Sequence, residues 1–209
     1  MILYYMFFLN IQNIKKSLCM QIKYLILSLI FFITNITSTE FVLETPRLII
    51  RPFNYQDFNL LYPLLSDPQV MAHSRDGALD IIGTKNYLDK RIIKPFNKQG
   101  WGRYALFNKL NRDFIGFCGL TVHVLDDNQE YIELGYKIIR KFWNQGYASE
   151  AALCIKNYAV NILGIKEIIS IIEPSNLASI KIAQKVGLIF WKKCFFNNEI
   201  VDIYQAKFE

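Results

Sequence analysis

The sequence has few of the residues that build metal sites or disulfide frameworks. Among its 209 residues there are two histidines, His73 and His123, and four cysteines. The cysteines are Cys19, Cys118, Cys154 and Cys194. No two of them have the spacing of a zinc knuckle or of a C-x-x-C redox motif. A metal site is therefore not expected, and the cysteines fit small apolar residues of a reduced protein.

A large excess of one charge is missing as well. The chain has 24 basic and 18 acidic side chains, a net charge of +6. Three of the basic residues, Lys15, Lys16 and Lys23, lie in the first 39 residues, which contain no acid. Residues 40–209 therefore carry 21 basic and 18 acidic side chains, or +3. So mild a balance offers no basic stripe for a run of phosphates, and nucleic-acid binding is not expected.

The glycine patterns of ATP-binding and dinucleotide-binding loops are absent too. Neither G-x-x-x-x-G-K-[ST] nor G-x-G-x-x-G occurs in the sequence. A single glycine, Gly146, stands in "KFWNQGYASEAA" (141–152), a turn that leads directly into a helix-forming run. Free N–H groups and the helix dipole make such a helix start an anion site that suits a diphosphate. The same pattern also fits a glycine that merely ends a turn.

The first 39 residues differ from the rest of the chain. They contain an apolar run of ten residues, "YLILSLIFFI" (24–33). A bilayer-spanning helix needs roughly 20 apolar residues, whereas ten residues suit the h-region of a signal peptide. Three interpretations stay open: an export or anchor signal, an extension translated from an early start, or an amphipathic cover for the domain.

Residues 40–209 show the pattern of one mixed α/β (α+β) domain. Strands are predicted over 41–53, 101–108, 113–125, 131–139, 166–172, 188–196 and 200–208. Helices are predicted over 54–66, 79–97, 148–163 and 176–186. Turn residues between the strands of 101–139 predict an antiparallel meander, and the last two strands predict a hairpin. This order indicates a mixed, mostly antiparallel twisted sheet flanked by helices.

Three separated segments carry a family resemblance. They are "TPRLIIRPF" (45–53), "IELGYKIIRKFWNQGYASEAALCIKNYA" (132–159) and "NLASIKIAQKVGL" (176–188). In order and spacing they resemble the GNAT superfamily of acyl-CoA N-acyltransferases, and within it the Rim-type branch of ribosomal-protein N-terminal acetyltransferases. The resemblance covers about residues 41–208 and implies the GNAT fold for the domain at 40–209.

The resemblance also implies an activity. It implies direct transfer of an acetyl group from acetyl-CoA, without a metal, to a primary amine. The acceptor is a protein N-terminus, such as that of a ribosomal protein, or a small amine such as a polyamine, an amino acid or an antibiotic. A CoA-binding module without catalysis is the alternative. Because acetyl-CoA is a cytosolic metabolite, we expect a cytoplasmic enzyme with an over-long start, or else one tethered to the membrane through residues 22–36.

Carried over residue by residue, the resemblance implies a CoA site. Main-chain amides of Gln145, Gly146, Tyr147 and Ala148 form the diphosphate cradle, and Trp143 and Asn144 lead into it. A backbone amide between Tyr136 and Ile138 polarises the thioester carbonyl. Asn176 begins the family's N-x-x-S and is also a good helix N-cap. Arg140 and Lys141 are either further phosphate contacts or a solvated basic pair.

The implied catalytic residues are Glu133 and Ser179. Glu133 is the candidate that deprotonates the amine, directly or through a water; alternatively it is a structural partner of a nearby arginine. Ser179 is the implied donor to the departing sulfur, because Ala183 stands where many relatives have an acidic tyrosine. The two histidines have no partner near them in the sequence and are expected to be exposed or on a strand face. Three tyrosines either line the acceptor cleft or belong to the core. They are Tyr104, Tyr131 and Tyr204.

Overall fold

The structure, a computed structural model, describes residues 43–209. The interpretations of residues 1–39 therefore concern a segment outside the described part of the chain. Between residues 43 and 209, no helix is both long and apolar enough to cross a bilayer.

One eight-stranded sheet organises the described residues, in the order β1-β2-β3-β4-β5-β6-β8-β7. Its strands are β1 (Leu43–Glu44), β2 (Leu48–Pro52), β3 (Arg103–Asn108), β4 (Phe114–Val124), β5 (Glu130–Ile138), β6 (Glu167–Ile172), β7 (Ile189–Phe196) and β8 (Glu199–Lys207). The helices are α1 (Phe58–Leu65), α2 (Ile81–Tyr87), α3 (Lys94–Gln99), α4 (Tyr147–Asn161) and α5 (Leu177–Lys185). A π-helical segment, Leu88–Ile93, joins α2 to α3, and 3-10 turns precede α1 and follow β5. The predicted fold class is confirmed.

The predicted strand at 41–53 is in fact two strands. The backbone N–H of Thr45 donates to the carbonyl of Leu48 at 3.0 Å, which closes a turn between β1 and β2. Pro46 lies inside this turn and has no N–H to donate to a continuous ladder, so the chain reverses there. The terminal hairpin is confirmed, and its turn is made by Asn197 and Asn198, whose φ angles are 53° and 69°.

All neighbouring strands run antiparallel except β5 and β6, which are parallel and connected through α4. Their ladder consists of one residue pair, Glu133 and Ile169. The Ser170 hydroxyl donates to the Leu134 carbonyl at 2.8 Å, and beyond this point the two strands diverge. Within the described residues, the β5 edge from Gly135 to Ile138 thus has no strand partner on the β6 side.

The two faces of the sheet are covered by different helices. On the first face, which we call the α4 face, Cys118, Leu120 and Leu134 pack with Ala151 and Ile155 of α4. On the second, the α1–α3 face, Ala105 and Phe117 pack with buried residues of α1 and of the helical run 81–99.

The register of β4 and β5 assigns the residues of β5 to these faces. Cys118 pairs with Tyr136, and Phe117 pairs with Lys137. Since side chains alternate along a strand, Tyr136 lies on the α4 face, and Glu133, Gly135 and Lys137 lie on the α1–α3 face.

Candidate active site

A cleft of about 1830 Å³ lies where β5 and β6 diverge. Most of the residues predicted for the site line it: Glu133, Tyr136, Ile138, Trp143, Asn144, Gly146, Tyr147, Ala148, Asn176 and Ser179. Gln145 does not line the cleft. Its carbonyl accepts a hydrogen bond from Arg47 at 2.9 Å, and its side-chain amide donates to the Lys141 carbonyl at 2.8 Å. Gln145 therefore holds the turn in shape from outside.

The turn before α4 has the backbone of an anion cradle. Asn144 and Gly146 have φ angles of 58° and 82°, in the left-handed region, and Gly146 is the N-cap of α4. A Cβ at Gly146 would lie 3.3 Å from the Arg47 guanidinium, so glycine suits the position in both conformation and space.

The helix start leaves several amides for a ligand. The first bond of the helical pattern joins the Glu150 N–H to the Gly146 carbonyl at 3.1 Å. The N–H groups of residues 147–149 thus precede the intrahelical ladder and carry the positive end of the helix dipole. Tyr147, Ala148 and Ser149 all line the cleft, and the sequence interpretation had not included Ser149. These residues fit a diphosphate.

Arg47, just before β2, fixes this turn from behind. Its Nε donates to Glu150 Oε2 at 2.7 Å, and its backbone N–H donates to Glu150 Oε1 at 3.0 Å. Its guanidinium also lies 4.5 Å from the centre of the Tyr147 ring. The Thr45 hydroxyl donates to Glu150 Oε1 at 2.6 Å. Thr45 and Arg47 of the first motif therefore orient the first turn of α4, and with it the turn at Gly146, about 100 residues later in the sequence.

Replacing Arg47 by alanine is expected to lower the free energy of unfolding by about 1–2 kcal/mol, because one substitution removes several charge-assisted hydrogen bonds around Glu150. Arg47→Lys should recover part of this loss. Urea denaturation measures both. The control is Lys109→Ala, which removes an exposed ion pair with Glu44 and should cost less than about 0.5 kcal/mol. Equal effects of Arg47→Ala and Lys109→Ala would contradict the role given to Arg47.

Two further side chains near the turn have structural partners. Trp143 Nε1 donates to the Ile138 carbonyl at 2.7 Å and so covers the end of β5. Arg140 donates to Asp67 and Gln69, both at 2.8 Å, and Lys141 lies 3.4 Å from Asp113. Arg140 thus ties the 3-10 turn after β5 to the loop after α1, and neither Arg140 nor Lys141 lines the cleft.

On the α1–α3 face, Glu133 is hydrogen-bonded to a histidine. His123 Nε2 lies 2.9 Å from Glu133 Oε2, and both residues line the cleft. Burial raises the pKa of Glu133, but the hydrogen bond with His123 and the positive charges of Arg103 and Lys137 outweigh burial and lower this pKa overall. The His123 ring meets Phe196 of the terminal hairpin edge-on, with ring centres 5.4 Å apart.

The two histidines lie as expected, His73 exposed and His123 on a strand, and each has a partner from another part of the sequence. His123 pairs with Glu133, and His73 pairs with Glu173 at 2.7 Å. The alternative of an arginine partner for Glu133 is wrong as stated, because the direct partner is His123. The signal for this pair was present, since a short turn joins the two predicted strands that carry His123 and Glu133.

On the α4 face, Tyr136 and Ser179 are hydrogen-bonded. The Tyr136 hydroxyl donates to Ser179 Oγ at 3.0 Å. Burial raises the pKa of Tyr136 to about 12, so its hydroxyl keeps its proton at neutral pH. Asn176 Oδ1 accepts the Ser179 backbone N–H at 3.0 Å, which confirms Asn176 as the N-cap of α5. Sequence reasoning assigned only the backbone of Tyr136 to the site and missed its side chain.

The tyrosines that were alternatives for the acceptor cleft lie elsewhere. Tyr104 and Tyr204 are buried in the core cluster of the α4 face. Tyr131 packs beside the Trp191 ring, at 5.6 Å between ring centres. The core interpretation holds for the first two, and none of the three lines the cleft.

The cleft thus contains one hydrogen-bonded pair of side chains on each face of β5. A carboxylate–histidine pair faces the α1–α3 side, and a tyrosine–serine pair faces the α4 side. Between them runs the unpaired backbone edge of β5, and the helix start at Gly146 is near its end. Such a cleft can hold an anion-bearing molecule along β5, take a proton on one face and give one on the other.

Comparisons with known proteins agree with this geometry. Residues 47–189 match the acetyltransferase (GNAT) domain family. The chain is 30% identical over 168 residues to the uncharacterized protein YkkB of Bacillus subtilis, covering 79% of this chain and 95% of that protein. It is 29% identical over 166 residues to an uncharacterized N-acetyltransferase, YnaD, of the same organism, covering 78% of this chain and 93% of the relative.

A solved structure resembles the fold. It is a ribosomal L7/L12 alpha-N-protein acetyltransferase in complex with coenzyme A, with a TM-score of 0.65 and 14% identity, covering 80% of this chain and 98% of the other. At this identity the likeness shows the fold alone. The family match covers most of the described residues, and so the chain belongs to the GNAT acetyltransferase family and is an N-acetyltransferase.

Proposed function

We propose that the protein transfers an acetyl group from acetyl-CoA directly to a primary amine, through the residues described above. The observation that carries this proposal is the helix start at Gly146, placed near the end of an unpaired strand edge. An anion cradle beside an open β edge fits a long ligand with a diphosphate at one end. The solved relative that contains coenzyme A has the same fold.

The chain's residues hold the co-substrate at two places. Main-chain amides of Gly146, Tyr147, Ala148 and Ser149 would bind the diphosphate. The free backbone edge between Gly135 and Ile138 would hydrogen-bond the pantetheine arm, with an amide near Tyr136 or Ile138 at the thioester carbonyl. When bound, acetyl-CoA supplies the activated acetyl group.

Glu133 and His123 are the proposed proton acceptors for the amine. A primary amine is mostly protonated at neutral pH and must lose a proton before it can attack. The lowered pKa of Glu133 keeps its carboxylate ionised, so it attracts the ammonium group. His123, in hydrogen-bond contact with Glu133, offers a second site for the proton when the ammonium group is deprotonated.

Ser179 and Tyr136 are the proposed proton donors for the leaving thiolate. The Ser179 hydroxyl accepts from Tyr136, so its own hydrogen is available to point into the cleft. Tyr136 holds its proton at neutral pH and can restore that of Ser179. This pair occupies the role left open by Ala183.

Two further points of the proposal concern the boundary of the domain and the branch of the family. We place the domain boundary at residue 40, after an N-terminal extension of residues 1–39. The sequence motifs support the Rim-type branch, and the acceptor is a primary amine, either a protein N-terminus or a small molecule.

The test is thiol release from acetyl-CoA by the full chain with a panel of primary amines. Ser179→Ala should lower kcat by about 10-fold, less than the usual 100-fold or more for acid–base catalysis, because a thiolate is a good leaving group. Its affinity for CoA, measured by calorimetry, should stay within about 2-fold, since the Asn176 cap uses the backbone of residue 179.

Ser66→Ala is the matched control, because Ser66 follows α1 outside the cleft lining. It should leave kcat unchanged. If CoA binds but no amine accelerates thiol release above its rate in water, the protein is a CoA-binding module and the proposed activity is contradicted.

A further inference from the structure

The cations on the acceptor side of the cleft outnumber the carboxylates that could balance them. Arg103 and Lys137 line the cleft on the α1–α3 face. Among residues 43–209, neither has a carboxylate within ion-pairing distance. Three of the four acids in the lining already have partners: Asp76 with Arg91, Glu133 with His123, and Glu173 with His73. The fourth, Glu199, is exposed in the terminal hairpin.

The register of the sheet brings these two cations and Glu133 around one glycine. Arg103 pairs with Gly119, and Gly119 pairs with Gly135, so the three residues form a row across β3, β4 and β5. Glu133 and Lys137 flank Gly135 on the same face of β5. Because Gly135 has no side chain, the Glu133 carboxylate can lie over it, 3.6 Å from where a Cβ would stand, with the Lys137 ammonium farther along the strand and the Arg103 guanidinium at the side.

Gly119 allows β3 to approach closely enough for this arrangement. A Cβ at Gly119 would lie 2.2 Å from the Gly102 carbonyl oxygen and 2.4 Å from Arg103 Cα. No other residue fits there without moving the start of β3. The positive charge of Arg103 reaches both neighbours, since it lowers the pKa of Glu133 and that of Lys137.

The Arg103 guanidinium is also oriented in advance. It lies 5.4 Å from the centre of the Tyr87 ring and 5.8 Å from that of Phe117. One of its N–H groups donates to the Arg91 carbonyl at 3.0 Å. Its remaining donors make no further hydrogen bond within residues 43–209, and a planar guanidinium presents them in the geometry that matches a carboxylate.

Burial and the charge of Arg103 both disfavour the ammonium form of Lys137. Its ammonium donates to Ser74 Oγ. Burial, and then the charge of Arg103, lower the pKa of Lys137 to about 8. Two cations kept together in a half-buried cleft repel each other, and a bound anion would remove that repulsion.

We propose that Arg103 and Lys137 form a carboxylate-binding subsite, so that the acceptor is a small primary amine of the amino-acid type. This inference rests on the proposed function. The ammonium group of the acceptor meets Glu133, whose carboxylate lies over Gly135, and the carboxylate of the acceptor meets Arg103 and Lys137. The subsite recognises the negative charge of the acceptor, whereas Glu133 recognises its positive charge.

The test compares matched acceptors with the full chain and acetyl-CoA. The pairs are L-lysine with cadaverine, and L-phenylalanine with phenethylamine; a peptide with a free N-terminus and an amidated C-terminus is the third kind of acceptor. The amino acid of at least one pair should have a kcat/KM about 10- to 100-fold above its decarboxylated partner, the effect of a hydrogen-bonded charge. Lys137→Gln and Arg103→Gln should each reduce this ratio about 10-fold or more.

Controls separate recognition from folding. Lys137→Arg should keep most of the preference, and Lys98→Gln, on the exposed side of α3, should keep all of it. CoA affinity reports that each variant is folded. A ratio near one, a ratio that both Gln variants leave intact, or a preference for the amidated peptide overturns the subsite while the acetyltransferase activity stands. If none of the amines accelerates thiol release, the proposed function itself is contradicted.

Discussion

Replacing Glu133 by glutamine is expected to lower kcat by about 100- to 10,000-fold, the usual range for loss of a general base. Glutamine keeps the size of the side chain and can still accept the hydrogen bond from His123, so the cleft should keep its shape. What it loses is the negative charge that attracts the ammonium group and the capacity to share a proton with His123. Affinity for CoA, for which we propose the α4 start as the main binding site, should change less than about 3-fold.

The pH dependence of stability gives a second readout at Glu133. Its folded-state pKa is lowered, so the ionised carboxylate stabilises the fold above the pKa of the unfolded state. That contribution is lost as the pH falls through the folded pKa, below the ordinary value of about 4.3. The Glu133→Gln variant lacks this titration. Its urea midpoint should therefore fall less steeply than that of the wild type below about pH 4.

Glu130→Gln is the matched control, because Glu130 begins the same strand but is exposed and does not line the cleft. It should leave kcat within about 2-fold, as expected of a surface substitution. Equal rates for the Glu133 and Glu130 variants would show that another group removes the proton from the amine. His123→Ala distinguishes the partners, since a purely positioning histidine would shift the pH profile of kcat without removing the activity.

The parts of the site that come from one short segment were predictable from the sequence. Gly146 followed by a helix-forming run gives the cradle, and Asn176 three residues before Ser179 gives the cap; both depend on local backbone geometry. The pair of His123 and Glu133 could also have been found. Aligning two antiparallel strands across their short turn places Thr121 opposite Glu133, and His123 is its diagonal neighbour.

Contacts between distant segments were not predictable in the same way. Arg47 and Glu150 are 103 residues apart, and His73 and Glu173 are 100 residues apart. No periodicity or motif links the members of such pairs, because the pairing depends on how the sheet and the helices pack. The role of Arg103 is of the same kind: it requires the register of three strands and the close approach at Gly119.

Replacing Gly146 by aspartate is expected to raise the Kd for CoA by about 100-fold or more. Two effects act in the same direction. A carboxylate at the helix start occupies the anion cradle, where a bound anion gains up to ~2 kcal/mol. It also repels a diphosphate about 4 Å away by a few kcal/mol at the effective dielectric near a protein surface. Together these exceed the ~2.7 kcal/mol that corresponds to a 100-fold change.

The substitution should not unfold the protein. Gly146 has a φ of 82°, and aspartate is among the L residues that enter the left-handed region most readily. The new Cβ would stand 3.3 Å from the Arg47 guanidinium, a flexible group that can move slightly. Calorimetry with CoA and urea denaturation on the same preparation separate affinity from stability.

Gly164→Asp makes the comparison decisive. Gly164 follows α4 with a φ of 68°, no atom lies within 4 Å of its added Cβ, and it is outside the cleft lining. The same residue is thus introduced into the same backbone region at the opposite end of the same helix. The backbone cost is common to both variants, so a difference in CoA affinity isolates the cradle. Equal affinities of the two variants for CoA would mean that the diphosphate does not bind at the start of α4. The basic residues along the cleft would then be the alternative anion site.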